Sequence, residues 1–237
     1  MSAGERVEAI TLDAAGTLIH VAEPVAETYA RIAETAGARL STPVLEAAFR
    51  DEFWRMPAMA FPGRSGAALL GAERDWWRRL VGRVVARAGG VGDFDTYFDA
   101  LYGHYAQPSA WRVYGDVPEA LTAVRARGLR LAVVSNFDSR LLGILRGLGL
   151  AERFDAIIYS TAVGSAKPDA GIFEHALAAL EVSPRTALHV GDDAQADYHG
   201  ARTAGLAALL VQRRRSPPAG DIAVIRSLSE IADHLPD

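Results

Sequence analysis

The chain of 237 residues contains no cysteine, which excludes both a disulfide framework and thiol catalysis. Lysine is almost as scarce: of 25 Lys+Arg residues, only Lys167 is a lysine. A coding preference for arginine can produce that imbalance. A lone lysine that survives it is a candidate for chemistry, because arginine cannot give up its proton or act as a compact point charge. No apolar run approaches the ~20 residues of a membrane span, and residues 1–6 lack the apolar core of a signal peptide. The net charge of −4 gives no general attraction to nucleic acid or anionic membrane. What remains, 50% hydrophobic and 23% charged, has the balance of an ordinary globular protein. The length suits one large domain or a domain with an insert, and a soluble cytoplasmic protein is the default expectation.

Two kinds of periodicity divide the chain. Val7-Glu8-Ala9-Ile10 alternates apolar and polar and reads as the end of a first strand, which runs into Asp13 and a tight turn at Gly16. Strand character then stops after Leu18. Helical spacing follows over Glu23 to Gly37, Thr42 (as N-cap) to Met56, Ala67 to Ala88 and Phe94 to Tyr105, with a loop at Phe61-Pro62-Gly63. From Asp116, expected to cap a helix ending at Gly128, strand and helix alternate. Strands fit Leu129–Val134, Phe154–Tyr159, Ala187–Val190 and Leu206–Val211. Helices fit Leu141–Leu148, Ala170–Leu180, Ala194–Ala204 and Ser229–His234. Arg213 to Pro218 reads as a polar surface loop. Alternation of this kind implies βαβ units and a parallel sheet. The expected architecture is an α/β domain formed by residues 1–19 plus 111–237, with a helical insert over residues 20–110 that leaves just after Asp13 and can lie over that strand end.

Four polar clusters fall at or just after strand ends: Asp13, Ser135-Asn136, Lys167-Pro168-Asp169, and Asp192-Asp193 with Asp197. Each alone reads as turn or cap residues. In a parallel sheet all such ends share one edge, and four coincidences there are less economical than one site. The chemistry they suit is phosphoryl transfer. A carboxylate can attack phosphorus. Asp13 and Asp192 offer hard oxygen ligands to Mg²⁺, and Ser135, Asn136 and Lys167 supply hydrogen bonds and positive charge to phosphoryl oxygens.

In order, spacing and strand context, Asp13-Ala14-Ala15-Gly16-Thr17-Leu18, Val134-Ser135-Asn136, Lys167-Pro168 and Gly191-Asp192 with Asp197 resemble the four motifs of the haloacid dehalogenase-like hydrolase superfamily. The run Val133 to Asp138, with Glu23-Pro24-Val25, most resembles its haloacid dehalogenase-like hydrolase domain-containing subfamily. The resemblance implies a Rossmann-like core with an all-helical cap. It implies Asp13 as nucleophile, catalytic roles for Ser135 and Lys167, and phosphate binding by Ser135, Asn136 and Lys167. Mg²⁺ would be held by Asp13, the Ala15 carbonyl, Asp192 and, directly or through water, Asp197. The implied partner is a small phosphorylated substrate.

The pattern breaks at Ala15, where phosphatases of the family carry the aspartate that protonates the leaving group and then activates water. Three readings follow: a phosphatase in which His20, Glu23 or a cap residue supplies the proton; a catalytically weak phosphate- and Mg²⁺-binding regulatory module; and a metal-independent 2-haloacid dehalogenase, which has no use for Asp192 and Asp197. Phosphonoacetaldehyde hydrolases share the Ala but use a cap lysine, and the insert has none. Arg64, Arg74, Arg78 and Arg79 of the insert are expected to be surface charges, and Trp76 and Trp77 to pack the insert's own core.

Overall fold

The computed structural model describes residues 6–213 and 222–235. Its centre is β1 (Ala9–Leu12), four residues that are all buried, as expected of a strand covered on both faces. The short strand β2 (Ile19–Val21) follows, then four helices: α1 (Val25–Thr35), α2 (Thr42–Arg55), α3 (Gly66–Arg87) and α4 (Phe94–Tyr105). Strand β3 (Trp111–Val113) brings the chain back, pairing antiparallel with β2. Then come α5 (Val117–Ala126), β4 (Arg130–Ser135), α6 (Arg140–Gly147), β5 (Ala156–Tyr159), α7 (Ser160–Val163) and α8 (Ala170–Leu180). Strand β6 (Ala187–Gly191), α9 (Gly200–Thr203), β7 (Ala207–Val211) and β8 (Val224–Ile225) complete the regular elements, with a 3₁₀ segment at Leu228–His234.

The main sheet is parallel throughout, in the order β5-β4-β1-β6-β7-β8. The chain winds outward from β1 through β4 and β5, then returns to the other side of β1 through β6. The winding therefore reverses beside β1, the position at which open α/β sheets bind ligands. Leu12, Leu121, Leu131 and Ile144 belong to one core; Val134, Ile172, Phe173 and Ala201 form another. A further cluster belongs almost wholly to α1–α4 and includes Tyr29, Leu45, Trp76, Leu80 and Phe98. Among the described residues no helix is long and apolar enough to cross a membrane.

The helical segment is fastened to the α/β part by buried polar contacts. Glu73 of α3 is fully buried. It accepts hydrogen bonds from Ser139 N–H at 3.1 Å, Ser139 Oγ at 2.5 Å and Thr161 Oγ1 at 2.5 Å. Ser160 Oγ donates to the Met59 carbonyl at 2.6 Å. Trp77 Nε1 donates to Asp138 Oδ2 at 2.6 Å. Trp76 packs inside the helical segment as expected, but Trp77 spans the gap between the two parts.

Several local expectations are corrected. Strand character does not stop at Leu18, because β2 follows and is completed by a partner ninety residues away. The α2 N-cap position is Ser41, with Thr42 already helical. Asp116 occupies an N-cap position without making a cap bond; its Oδ2 instead accepts from Arg213, Ser227 and Leu228 N–H. The helix expected over Ala194–Ala204 is a π-helical stretch, Ala194–His199, running into α9. Of the polar loop, residues 214–218 lie outside the described residues, as do residues 1–5 of the N-terminal stretch.

Candidate active site

Asp13 follows β1 directly, and its backbone N–H extends the sheet by donating to the Val190 carbonyl of β6 at 2.9 Å. The next residues turn back sharply, with Leu18 and Ile19 N–H both donating to the Ala14 carbonyl. Gly16 makes that turn with φ +96, and a Cβ on it would lie 2.3 Å from Asp192 Oδ2. The same device recurs one strand over, where a Cβ on Gly191 would lie 2.1 Å from Asp197 Cγ. Two glycines thus make room for two carboxylates.

Lys167 reaches the edge from the segment between α7 and α8. Its Nζ donates to Asp13 Oδ1 at 2.6 Å and to Asp197 Oδ1 at 2.5 Å. The loop is held by a reciprocal amide pair: Asn136 Nδ2 donates to the Lys167 carbonyl at 2.8 Å, and Lys167 N–H donates to Asn136 Oδ1 at 2.7 Å. Both ends of the Asn136 side chain are therefore engaged with backbone. Those two bonds give this side chain the task of positioning Lys167. Ser135, at the end of β4, is buried and close enough to the Asp13 carboxyl to lower its pKa.

Asp197 is committed on both oxygens. Besides Lys167, Oδ1 meets His189 Nε2 at 3.2 Å, and Oδ2 accepts from Asp193 N–H at 2.9 Å. His189 lies inside β6, fully buried, with Nδ1 2.8 Å from Thr11 Oγ1 of β1. Sequence reading missed His189; its one signal was a histidine within an apolar strand. Asp193 does what a residue at a helix start does, accepting from Gln195 and Ala196 N–H. Asp169 likewise caps α8 through Gly171 N–H.

The electrostatics show a shortage of cations. Asp13, Asp192 and Asp197 bring ligand oxygens within 4.8 Å of one another, with only the Lys167 ammonium between them. Burial would push Lys167 down, but the Asp13 and Asp197 charges hold it well above the usual lysine value. Burial would push Asp197 up, but the Lys167 charge and the His189 hydrogen bond hold it far below the carboxylate range. Burial raises Asp13 despite Lys167. The Asp192 residue is largely exposed, yet protein atoms crowd its carboxyl. That desolvation, followed by the charges of Asp13 and Asp197, pushes it up to about 7. Burial lowers His189, against the raising effect of Asp197. A hard divalent cation would relieve the remaining repulsion, and an all-oxygen donor set is what Mg²⁺ takes. The residues present therefore fit such an ion: Asp13 and Asp192, with the Ala15 carbonyl, which the Ala15–Ile19 bridge leaves out of its hydrogen bonds, and Asp197 at second rank because its oxygens are already engaged.

Over this edge lies a cavity of about 390 Å³. Its floor includes Ala15, Gly16 and Asn136, and the helical segment walls it with Tyr29, Phe49, Trp77, Phe98 and Leu101. Arg64, Arg74, Arg78 and Arg79 are not among its lining residues. Arg74 pairs with Asp99 and Arg78 with Asp95. The arginine in the lining is Arg140 of α6, already held by Asp138 at 2.6 Å and stacked 4.0 Å over the Tyr102 ring. Of the proton-donor candidates, Glu23 is engaged by Arg31 at 2.9 Å and Thr28 at 2.8 Å. His20 lines the cavity beside Ala15, with Nδ1 2.8 Å from the Val21 carbonyl and its ring 4.6 Å from that of Tyr114.

The family model for haloacid dehalogenase-like hydrolases matches residues 7–205, and the chain belongs to that family. It is 38% identical over 209 residues to human haloacid dehalogenase-like hydrolase domain-containing protein 3, covering 87% of this chain and 82% of that protein. It is 33% identical to a phosphoserine phosphatase of Thermus thermophilus over 185 residues, covering 78% and 65% respectively. Among solved structures, a HAD-hydrolase from Bacillus subtilis bound to magnesium superposes with a TM-score of 0.75 over 98% of this chain and 99% of that one, at 18% identity, which supports the fold.

Proposed function

We propose that this hydrolase is a Mg²⁺-dependent phosphatase of small phosphorylated molecules, with residues 20–110 as its cap and Asp13 as its nucleophile. The observation that carries the reading is the Asp13 carboxylate at the end of the central strand, 2.6 Å from a buried ammonium and beside two further carboxylates. An Asp13 oxygen attacks phosphorus, an acyl-phosphate bond forms, and the bond to the leaving oxygen breaks, that oxygen departing with the electron pair. Lys167 and Ser135 bind the phosphoryl oxygens as charge is redistributed. Water then attacks phosphorus, the bond between phosphorus and the Asp13 oxygen breaks with its electron pair returning to the carboxylate, and the water's protons leave with the phosphate or to solvent, since Ala15 offers no base to take one. When bound, Mg²⁺ would offset the repulsion between an anionic nucleophile and an anionic substrate.

Ala15 offers no acid. Such a group contributes ~10²–10⁴ in rate, about 3–5 kcal/mol. The reaction is therefore suited to leaving groups that depart without a proton. A metal-free dehalogenase would leave Asp192 without a task, and a regulatory module would have no need of a nucleophile this well supported. The test is hydrolysis of acetyl phosphate with and without Mg²⁺, beside Asp13→Asn. Turnover that needs both Mg²⁺ and Asp13 supports the reading; metal-independent turnover, or turnover by Asp13→Asn, contradicts it.

A further inference from the structure

The cavity above Asp13 is walled by rings and aliphatic side chains. Tyr29, Phe49 and Trp77 face it together with Val81, Phe98 and Leu101. Several of its polar atoms are already taken. The Arg140 guanidinium bonds both oxygens of Asp138 and the Tyr102 carbonyl. The Trp77 N–H is on Asp138, and both ends of the Asn136 amide are on Lys167. The Tyr105 hydroxyl, which has no partner among the described residues, and His20 are among the polar groups left in the lining, so a sugar entering here would surrender its hydrogen bonds to water for few replacements, whereas an aromatic ring loses none.

The floor is the backbone that flanks the nucleophile: Ala15-Gly16 two residues beyond Asp13, and Asn136 beside Ser135. Asp13, Ser135 and Lys167 do not themselves line the cavity, but their chain neighbours do, which makes it the space next to a phosphoryl group held at Asp13. Size agrees, because a cavity of roughly 150 Å³ accommodates benzene and this one measures about 390 Å³, within the range of small-molecule sites. Ala15 points the same way by independent chemistry. A phenol titrates near 10, about six units below the 15.7 of water, so a phenolate leaves without a proton donor.

From the cavity and Ala15 together we infer that the substrate class is phosphate monoesters of one- or two-ring phenols, the ring occupying the space between α1, α2, α3 and α4. This inference rests on the proposed hydrolysis at Asp13. The bond cleaved is between phosphorus and the aryl oxygen, which leaves as phenolate, while Asp13 takes the phosphoryl group and passes it to water.

The test compares 1-naphthyl, phenyl, acetyl and ribose 5-phosphates with Mg²⁺ in the intact protein. The two phenols differ far more in size than as leaving groups, so their ratio reports the cavity; acetyl phosphate reports the reaction itself. The expected kcat/KM is about tenfold higher for 1-naphthyl than for phenyl phosphate, and at least a hundredfold higher for phenyl than for ribose 5-phosphate. Val25→Trp, which fills the cavity from its partly exposed rim, lowers the naphthyl-to-phenyl ratio toward one. In parallel, quenching of tryptophan fluorescence by 1-naphthylphosphonate measures binding without turnover, expected at least tenfold tighter than methylphosphonate measured by competition. Acetyl phosphate turnover with a naphthyl-to-phenyl ratio at or below one, or equal affinity for the two phosphonates, overturns the cavity assignment. Tight naphthylphosphonate binding with inert acetyl phosphate overturns the hydrolysis at Asp13 while leaving the ring site standing.

Discussion

The sheet edge and the cavity roof above it are built on opposite terms. At the edge, Asp13, Lys167, Asp197 and His189 are almost wholly buried and linked by hydrogen bonds. In the adjoining cavity, the walls are chiefly aromatic and aliphatic, and the Arg140 charge there is balanced by Asp138. On the proposed reading, the edge stabilises charge that develops on phosphorus, and the roof favours a group that brings no charge with it. That reading separates two halves of specificity: the edge would decide which reaction takes place, and the roof what is attached to the reacting group.

Breaking the edge should cost most. Asp13→Asn removes the attacking oxygen and should lower acetyl phosphate turnover by about 10⁴–10⁶, by analogy with nucleophile deletions elsewhere, as measured in single-turnover assays. Lys167→Met leaves the Asp13 and Asp197 carboxylates buried without their ammonium. A broken buried ion pair typically costs 3–5 kcal/mol, which urea titration at neutral pH would show as a lowered midpoint. Loss of activity with unchanged stability would instead make Lys167 a substrate contact alone.

Joining the edge to the roof should have a smaller effect of the opposite sign. Ala15→Asp restores a carboxyl at a position that lines the cavity, and it should raise kcat/KM for alkyl phosphates, which reports the leaving-group step, by about 10² while changing kcat/KM for aryl phosphates little. No gain, in a variant that still folds and binds Mg²⁺, would show that another group such as His20 already supplies the proton.

These two regions also differ in how much of them the sequence disclosed. Each edge residue follows a short apolar run, so Asp13, Ser135 and Asp192 are visible as local events, and the parallel topology gathers them with no further information. Lys167 stands out by being the only lysine. His189 was invisible because a histidine inside an apolar strand looks like any core residue. Glu73 was invisible because it falls in the charged run Glu73-Arg74-Asp75, and only the packing of α3 against Ser139 and Thr161 shows that it is buried. The roof is the extreme case: its walls come from four helices, and their apolar faces read identically whether they fill a core or bound a space. The strands β2 and β3 were lost for a related reason, since three-residue strands carry too little alternation to register until their distant partner is known.

The smallest expected effect lies at Asp116, outside the carboxylate cluster and the cavity lining and joined to them only through Arg213, which bonds the Thr17 carbonyl. Burial alone would raise Asp116, but Arg213, the Leu228 N–H and Ser227 together hold it below its ordinary value. A carboxyl lowered in the folded state contributes stability above its unfolded value of about 3.9, and that contribution disappears as pH falls through the lower folded value. Asp116→Asn should therefore flatten the acid limb of the stability profile below about pH 4 without altering the Mg²⁺ dependence of turnover.

The central claim is that the phosphoryl group passes through Asp13, and trapping it tests that claim most directly. Acid quenching during turnover of acetyl phosphate with Mg²⁺, followed by peptide mass analysis, should find one phosphoryl group on the peptide containing Asp13, absent in Asp13→Asn. Steady turnover with that peptide unmodified and the phosphoryl group on another residue would contradict it.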